Sequence, residues 1–221
     1  MSAVFPKWTN RLPLMIVTGA VLIGGAVTAG VWYYFTPEYT RVGYQPVQPV
    51  AFSHNIHAGQ LGIDCRYCHS TGDKSWYSNI PTAELCMNCH GPTKGNVLGN
   101  DPKLALVRES AASGKPIPWV QIHKTPEFVY FNHSVHLRRG ISCVECHGRI
   151  DQMDEVHEVK SLSMTFCLDC HRDPAAHIRP LDKITDLGWK AATPEAQREM
   201  GSNIVHNLKV QSLQSCSACH R

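Results

Sequence analysis

The placement of cysteine constrains this chain more than any other feature. All ten cysteines fall into five Cys-x-x-Cys pairs, each followed at once by histidine: Cys65, Cys68 and His69; Cys86, Cys89 and His90; Cys143, Cys146 and His147; Cys167, Cys170 and His171; Cys216, Cys219 and His220. With thirteen histidines in 221 residues, five such coincidences would arise by chance about once in a million, so the pattern reads as C-x-x-C-H attachment of c-type haem. The two thiols of a pair reach the two vinyl groups of one porphyrin, and the adjacent imidazole becomes the proximal iron ligand. Disulfides would not require the histidines, and zinc sites built from paired motifs would leave the fifth motif unmatched. The expectation is five covalently bound c-type haems.

Covalent haem attachment takes place outside the cytoplasmic membrane, so the bulk of the chain is expected to be exported. After Lys7 and Arg11 comes LPLMIVTGAVLIGGAVTAGVWYYF at 12–35, a run without charge. As a helix at about 1.5 Å per residue it is about 36 Å long and spans the hydrocarbon with some tilt. Basic residues precede it and Trp32, Tyr33 and Tyr34 follow, which orients the N-terminus inside and the remainder outside. Val27-Thr28-Ala29 has some likeness to a peptidase site; with the chain beginning at Met1, the segment is expected to be a retained anchor. Small residues recur at intervals of four, Ala20, Gly24 and Thr28, and again Gly25 and Ala29, as on helices that dock closely in membranes. The division expected is a cytoplasmic N-terminus at 1–11, an anchor at 12–35, an extended proline-bearing linker at 36–50 and a periplasmic pentahaem domain at 51–221. The place is then the bacterial inner membrane, single-pass.

The domain contains an internal repeat. FSHNIHAGQLGIDCRYCH, from Phe52, matches FNHSVHLRRGISCVECH, from Phe131, and in each copy a second attachment motif follows. Di-haem repeats are therefore expected at about 52–92 and 131–172, with the fifth motif alone at 216–220. Regular structure looks sparse: helical candidates lie at 103–110 and from the Thr193 cap and Pro194 to about Met200, before Gly201, with short turns at each motif. The fold class expected is a multihaem cytochrome c with little regular secondary structure, short helices around five haems, and one N-terminal transmembrane helix. The haems themselves must supply much of the apolar surface that a core of side chains normally provides.

Five proximal histidines leave His54, His57, His123, His133, His136, His157, His177 and His206 for five distal positions. An iron closed by two protein ligands transfers electrons rather than binding substrate. His54, His57, His133 and His136 recur at identical places in both repeats and are the expected distal ligands of four irons, and two imidazoles three residues apart can serve two neighbouring haems. For the fifth iron the candidates are Met164, whose thioether would raise that haem's potential, and His123, His177 and His206. His157, within DEVHEVK, reads as part of a solvated polar face. Arg66, Arg138, Arg139, Arg149 and Arg172 lie near motifs and are candidate propionate partners. The formal net charge of +3 falls to about −2 with five oxidised haems and about −7 with five reduced ones, so nothing points to nucleic acid. No cysteine run is left for an iron–sulfur cluster, and no glycine-rich nucleotide fingerprint is present.

The paired Phe-x-His-x-x-His units resemble the class III type of multihaem cytochromes, in which both histidines are distal ligands. The order of FSHNIHAGQLGIDCRYCHS, IPTAELCMNCHGP, GKPIPWVQIHKTPEFVYFNHSVH, CVECHGRIDQMDEV, SLSMTFCLDCHRDP and CSACHR behind an N-terminal anchor is similar, over nearly the whole chain, to the pentahaem subunit of alternative complex III, a quinol-oxidising respiratory complex. One position departs: the residue before Phe166 is Thr165 where such subunits more often have Gly. The resemblance implies an electron-transfer subunit without a catalytic site of its own. Its implied partners are an iron–sulfur, molybdopterin-enzyme-like subunit, a polytopic quinol-binding subunit, and a monohaem cytochrome c or terminal oxidase as acceptor. An anchored multihaem quinol dehydrogenase feeding periplasmic reductases is the alternative reading. Intact-mass analysis of the purified chain is expected to show five covalent haems with Met1 or Ser2 at the start; four haems, or a chain beginning near Gly30, would contradict the reading.

Overall fold

The computed structural model describes residues 5–35 and 41–220, which divide into two units, Met1–Arg41 and Val42–Arg221. In the first, a 3-10 turn at Lys7–Arg11 leads into α1, Leu12–Phe35. Pro13 sits in the first turn, where the amide it lacks has no helical partner to lose. Lys7–Tyr34 holds an 18-residue stretch of mean hydropathy 2.1 and is long and apolar enough to cross a membrane, a form that a membrane anchor and a signal sequence share. Its apolar side chains are exposed, and the Thr28 hydroxyl turns inward to donate to the Gly24 carbonyl at 2.8 Å.

The second unit is built from short helices with almost no sheet. They are α2 (Cys65–Cys68), α3 (Ala83–His90), α4 (Ala105–Ser113), α5 (His133–Arg138), α6 (Cys143–His147), α7 (Met164–Arg172), α8 (Pro194–Asn207) and α9 (Cys216–Cys219), with a π-helical turn at Asn55–Gln60. Isolated bridges join Val129 to His220 and Ile141 to Ile178. Local sequence explains several starts: Asp64, Asn132, Ser142, Ser163 and Thr193 each accept a backbone N–H of the first turn. Gly140, at φ +90, brings the chain against the Arg179 backbone, whose N–H donates to the Gly140 carbonyl at 2.9 Å; a Cβ there would strike the Arg179 carbonyl.

Side-chain burial is thin. Among the described residues the buried apolar set is Val50, Ala83, Val107, Met153, Ile178 and Leu187. Among the described residues a contiguous cluster joins Val50, Ala83 and Val107 beneath Leu104, Ile117 and Trp119. A compact chain of this mass exposes about 10,000 Å², against 15,244 Å² here. α1 accounts for part of the excess, and the second unit's poverty of buried side chains is what a domain that closes on large apolar cofactors requires.

Four expectations change. Residues 42–50 are no free linker: the Gly43 N–H donates to the Glu158 carbonyl at 2.7 Å, the Glu158 N–H to the Tyr44 carbonyl at 3.1 Å, and Val50 reaches the core, while 36–40 lie outside the described residues. The same contacts correct the reading of DEVHEVK as a solvated face, since Glu158 is fully buried and His157 half-buried. The candidate helix at 103–110 begins with a 3-10 turn, Pro102–Leu104, and runs as α4 to Ser113, where Gly114 adopts the left-handed conformation that ends it. α8 does not stop before Gly201 but continues to Asn207. Gly201 is buried because a Cβ there would run into the Ala175 carbonyl, so this glycine serves close packing and not helix termination.

Gly201→Ala is therefore expected to destabilise the holoprotein by about 1–3 kcal/mol despite alanine's better helix propensity. Denaturant unfolding followed by haem absorbance checks this; unchanged or increased stability would show that the contact gives way freely.

Candidate haem-binding sites

Each attachment motif lies on a helical turn, which puts its two cysteines at i and i+3 on one face and the histidine at the turn's end. None of the ten thiols is in a disulfide. The loops after the first two motifs hold the motif histidine rings. His69 Nδ1 lies 2.6 Å from the Asn79 carbonyl, in a loop closed by Thr71 and Asn79, and His90 Nδ1 lies 2.7 Å from the Val97 carbonyl.

The repeat seen in sequence is also a repeat in space. Phe52 stands edge-on to His54 at 4.8 Å and stacks on His57 at 4.4 Å; Phe131 stands edge-on to His133 at 4.7 Å and stacks on His136 at 4.5 Å. His57 Nδ1 and His136 Nδ1 each lie 2.8 Å from the carbonyl four residues before, Ser53 and Asn132, while His133 Nδ1 is 3.2 Å from the Trp76 carbonyl. A carbonyl only accepts, so in each of these rings Nδ1 carries the proton and Nε2 keeps its lone pair. Sequence reading found the imidazoles but not these anchors; the shared position of Ser53 and Asn132 before the second histidine was the available signal.

The rings then pair across the sites. His54 faces His69 at 6.5 Å with 5° between planes, His57 faces His90 at 6.0 Å, and His136 faces His171 at 6.1 Å. Two metal–nitrogen bonds of about 2.0 Å, with the distance from each nitrogen to its ring centre, put two imidazoles sharing one ion about 6.3 Å apart. These separations are too wide for ring contact and fit an iron held from both sides. At the third motif His123 lies edge-on to His147 at 4.3 Å, closer than a shared iron allows. His133, the repeat equivalent of His54, belongs electrostatically to the same cluster.

The other candidates lie apart. His177 Nδ1 is 3.3 Å from Glu145 Oε2, whose second oxygen takes Arg179 at 3.2 Å. The nearby Cys170 thiol first, and then Glu145, push His177 up to about 10. His206 is exposed and lines an open cavity of about 520 Å³ beside Arg172 and Asp173. Met164 opens α7, 65% exposed. His220 has the Phe128 ring at 5.6 Å. Of the candidate propionate partners, Arg66 and Arg149 make bidentate pairs with Asp64 and Asp151, Arg138 donates to the Asp73 carbonyl, and Arg172 lies 3.6 Å from Asp169.

Burial sets the electrostatics. It lowers His54 to about 4, helped by His69 and His57, and His147 to about 3, helped by His123. Both rings are thus neutral near pH 7, the form that ligates metal. Burial pushes Cys146 up to about 12, and a hydrogen bond with Cys65, followed by burial, raises Cys143. The Arg66 pair holds Asp64 down at about 2.

Residues 129–221 match the family described as cytochrome c7 and related cytochrome c. The chain is 28% identical over 201 residues, 89% of its own length and 85% of the relative's, to the multiheme cytochrome c subunit of menaquinone reductase from Nitratidesulfovibrio vulgaris. It is 26% identical over 117 residues, 53% of its length and 70% of the relative's, to the acrylate reductase cytochrome subunit of Shewanella woodyi. Ten cysteines in attachment spacing and a fold of short helices accompany these matches, which make the chain similar to multihaem cytochromes c that are the cytochrome subunits of reductases.

Proposed function

We propose that this chain is the anchored pentahaem relay of a quinone-linked membrane complex, carrying electrons between that complex and a periplasmic cytochrome c or terminal oxidase. The observation that carries the reading is the pairing of imidazoles across three motifs at about 6 Å, with Nδ1 of His57, His69, His90 and His136 spent on backbone carbonyls. Haem, when bound, supplies one-electron exchange at iron. The chain's paired imidazoles would hold that iron from both sides and leave it no open position, as a conductor requires and a reductase site does not. His69, His90, His147, His171 and His220 would serve as proximal ligands, with His54, His57, His133 and His136 as the distal ligands of the first four. Met164 serves the fifth: it stands one turn before Cys167 on α7, and Cys167 lies within electrostatic reach of Cys219.

Helix α1 is read as a retained anchor in the bacterial inner membrane, with Lys7 and Arg11 inside and the haem domain on the periplasmic side. Partners of the alternative complex III kind, an iron–sulfur molybdopterin-like subunit and a polytopic quinone-binding subunit, follow from the resemblance of the motif order. A relative named for menaquinone reductase shares the link to quinone over most of both chains, with quinone as the acceptor. The second reading, an anchored cytochrome feeding a periplasmic reductase, is favoured by the shorter match to an acrylate reductase subunit.

His54→Ala, His57→Ala, His133→Ala and His136→Ala are each expected to turn one low-spin haem high-spin in the optical and EPR spectra, and a fully low-spin spectrum would remove that residue from the ligand set. Met164→His is expected to lower one haem potential, since a thioether raises it. The complex purified in mild detergent is expected to exchange electrons with quinone while the isolated chain is reducible but inert. Turnover of quinol by the isolated chain would overturn the relay reading.

A further inference from the structure

We propose that the five haem sites form one unbranched file in the order second, first, third, fourth, fifth, so that electrons pass to and from partners only at the Cys86–His90 and Cys216–His220 ends. The inference rests on the reading that every motif holds one haem, and each joint of the file is seen in the protein itself.

The second and first sites are joined by Phe52, which touches both His54 and His57, the rings that face His69 and His90. The Cys68 thiol lies within electrostatic reach of Cys86 and Cys89. In the second repeat Phe131 touches His133 and His136 in the same way, His136 faces His171, and Cys146 lies in reach of Cys167 and Cys170. Third and fourth sites are thus neighbours by the same device.

The two repeats meet through their first motifs. From the loop after the first motif, the Asp73 carbonyl accepts Arg138 Nε at 2.7 Å, Ser75 accepts the Ser134 N–H at 3.1 Å and Trp76 the His133 N–H at 3.1 Å. Residues 184–185 tie the two helix caps together. Ser142 donates to the Ile184 carbonyl at 2.5 Å and Thr185 to Asp64 at 2.8 Å. The Cys65 and Cys143 thiols are neighbours within electrostatic reach of each other. This junction is why the file departs from chain order: it leaves the second site outermost on one side and the fourth on the other.

The fifth motif then extends the fourth. Tyr130, next to Phe131, donates its N–H to the Cys219 carbonyl at 2.9 Å, the Ser212 hydroxyl donates to the His171 carbonyl, and Cys167 reaches Cys219. Of the ten cysteines, Cys89 and Cys216 alone are exposed, one in each terminal motif.

Redox titration of the purified full-length holoprotein, with EPR to separate the haems, tests the order. Reducing one haem adds charge that makes its near neighbours harder to reduce, and the effect fades over about 10 Å. His57→Met, which raises the potential of the second haem, is expected to move one other haem, the one that His54→Met alters directly. His54→Met is expected to move two. A file in chain order gives the reverse, two for His57→Met and one for His54→Met. That result, or no coupled shift in either variant, overturns the proposal, and if one variant fails to assemble the other still decides. Haem count is read beforehand by mass and quinone turnover is read separately, so failure of the order is distinct from failure of the relay reading.

Discussion

The arrangement of the haem domain depends on one small interaction, the hydrogen bond from a histidine Nδ1 to a backbone carbonyl. It fixes the tautomer, fixes the ring plane and leaves Nε2 as the free donor to a metal. His57 and His136 obtain it from their own turn, at Ser53 and Asn132; His69 and His90 obtain it from loops that close after their motifs, at Asn79 and Val97. Because the carbonyls belong to the backbone, folding the loop and orienting the ligand are the same event. This explains how a domain with six buried apolar side chains among its described residues can still hold ring pairs near 6 Å.

The same economy links structure to function. A Phe-x-His-x-x-His turn places two imidazoles three residues apart, a little under a full helical turn, and in the first copy each faces a different attachment motif. On the proposed reading, using the turn twice and joining the copies near Cys65 and Cys143 would give four coupled sites, and the C-terminal motif would lengthen the series on one side. Nothing in this construction calls for a substrate pocket. The cavity beside His206 and Arg172 lies open at the surface, apart from the imidazole pairs.

Much of this was legible in the residues. The attachment spacing, the doubled Phe-x-His-x-x-His unit, the 12–35 helix and the scarcity of regular structure are local patterns, and local patterns survive without knowledge of tertiary contacts. What sequence did not convey depends on partners distant in the chain. Gly201 looked like a helix stop because its reason for being glycine, the Ala175 carbonyl, lies some two dozen residues earlier. Glu158 looked solvated because residues 43–44 cover it. His123 looked like one candidate for the fifth iron, yet its ring stands against His147, at the third motif. The neighbours of each motif were likewise invisible, since they follow from contacts between the two copies.

Closure of every iron by two side chains is the central claim, and carbon monoxide reads it most directly. With the holoprotein fully reduced by dithionite, irons held between paired ligands leave the Soret band unchanged on adding carbon monoxide over the time of a stopped-flow trace. A rapid shift of one haem's spectrum, showing an iron with an open position, would contradict a pure electron relay.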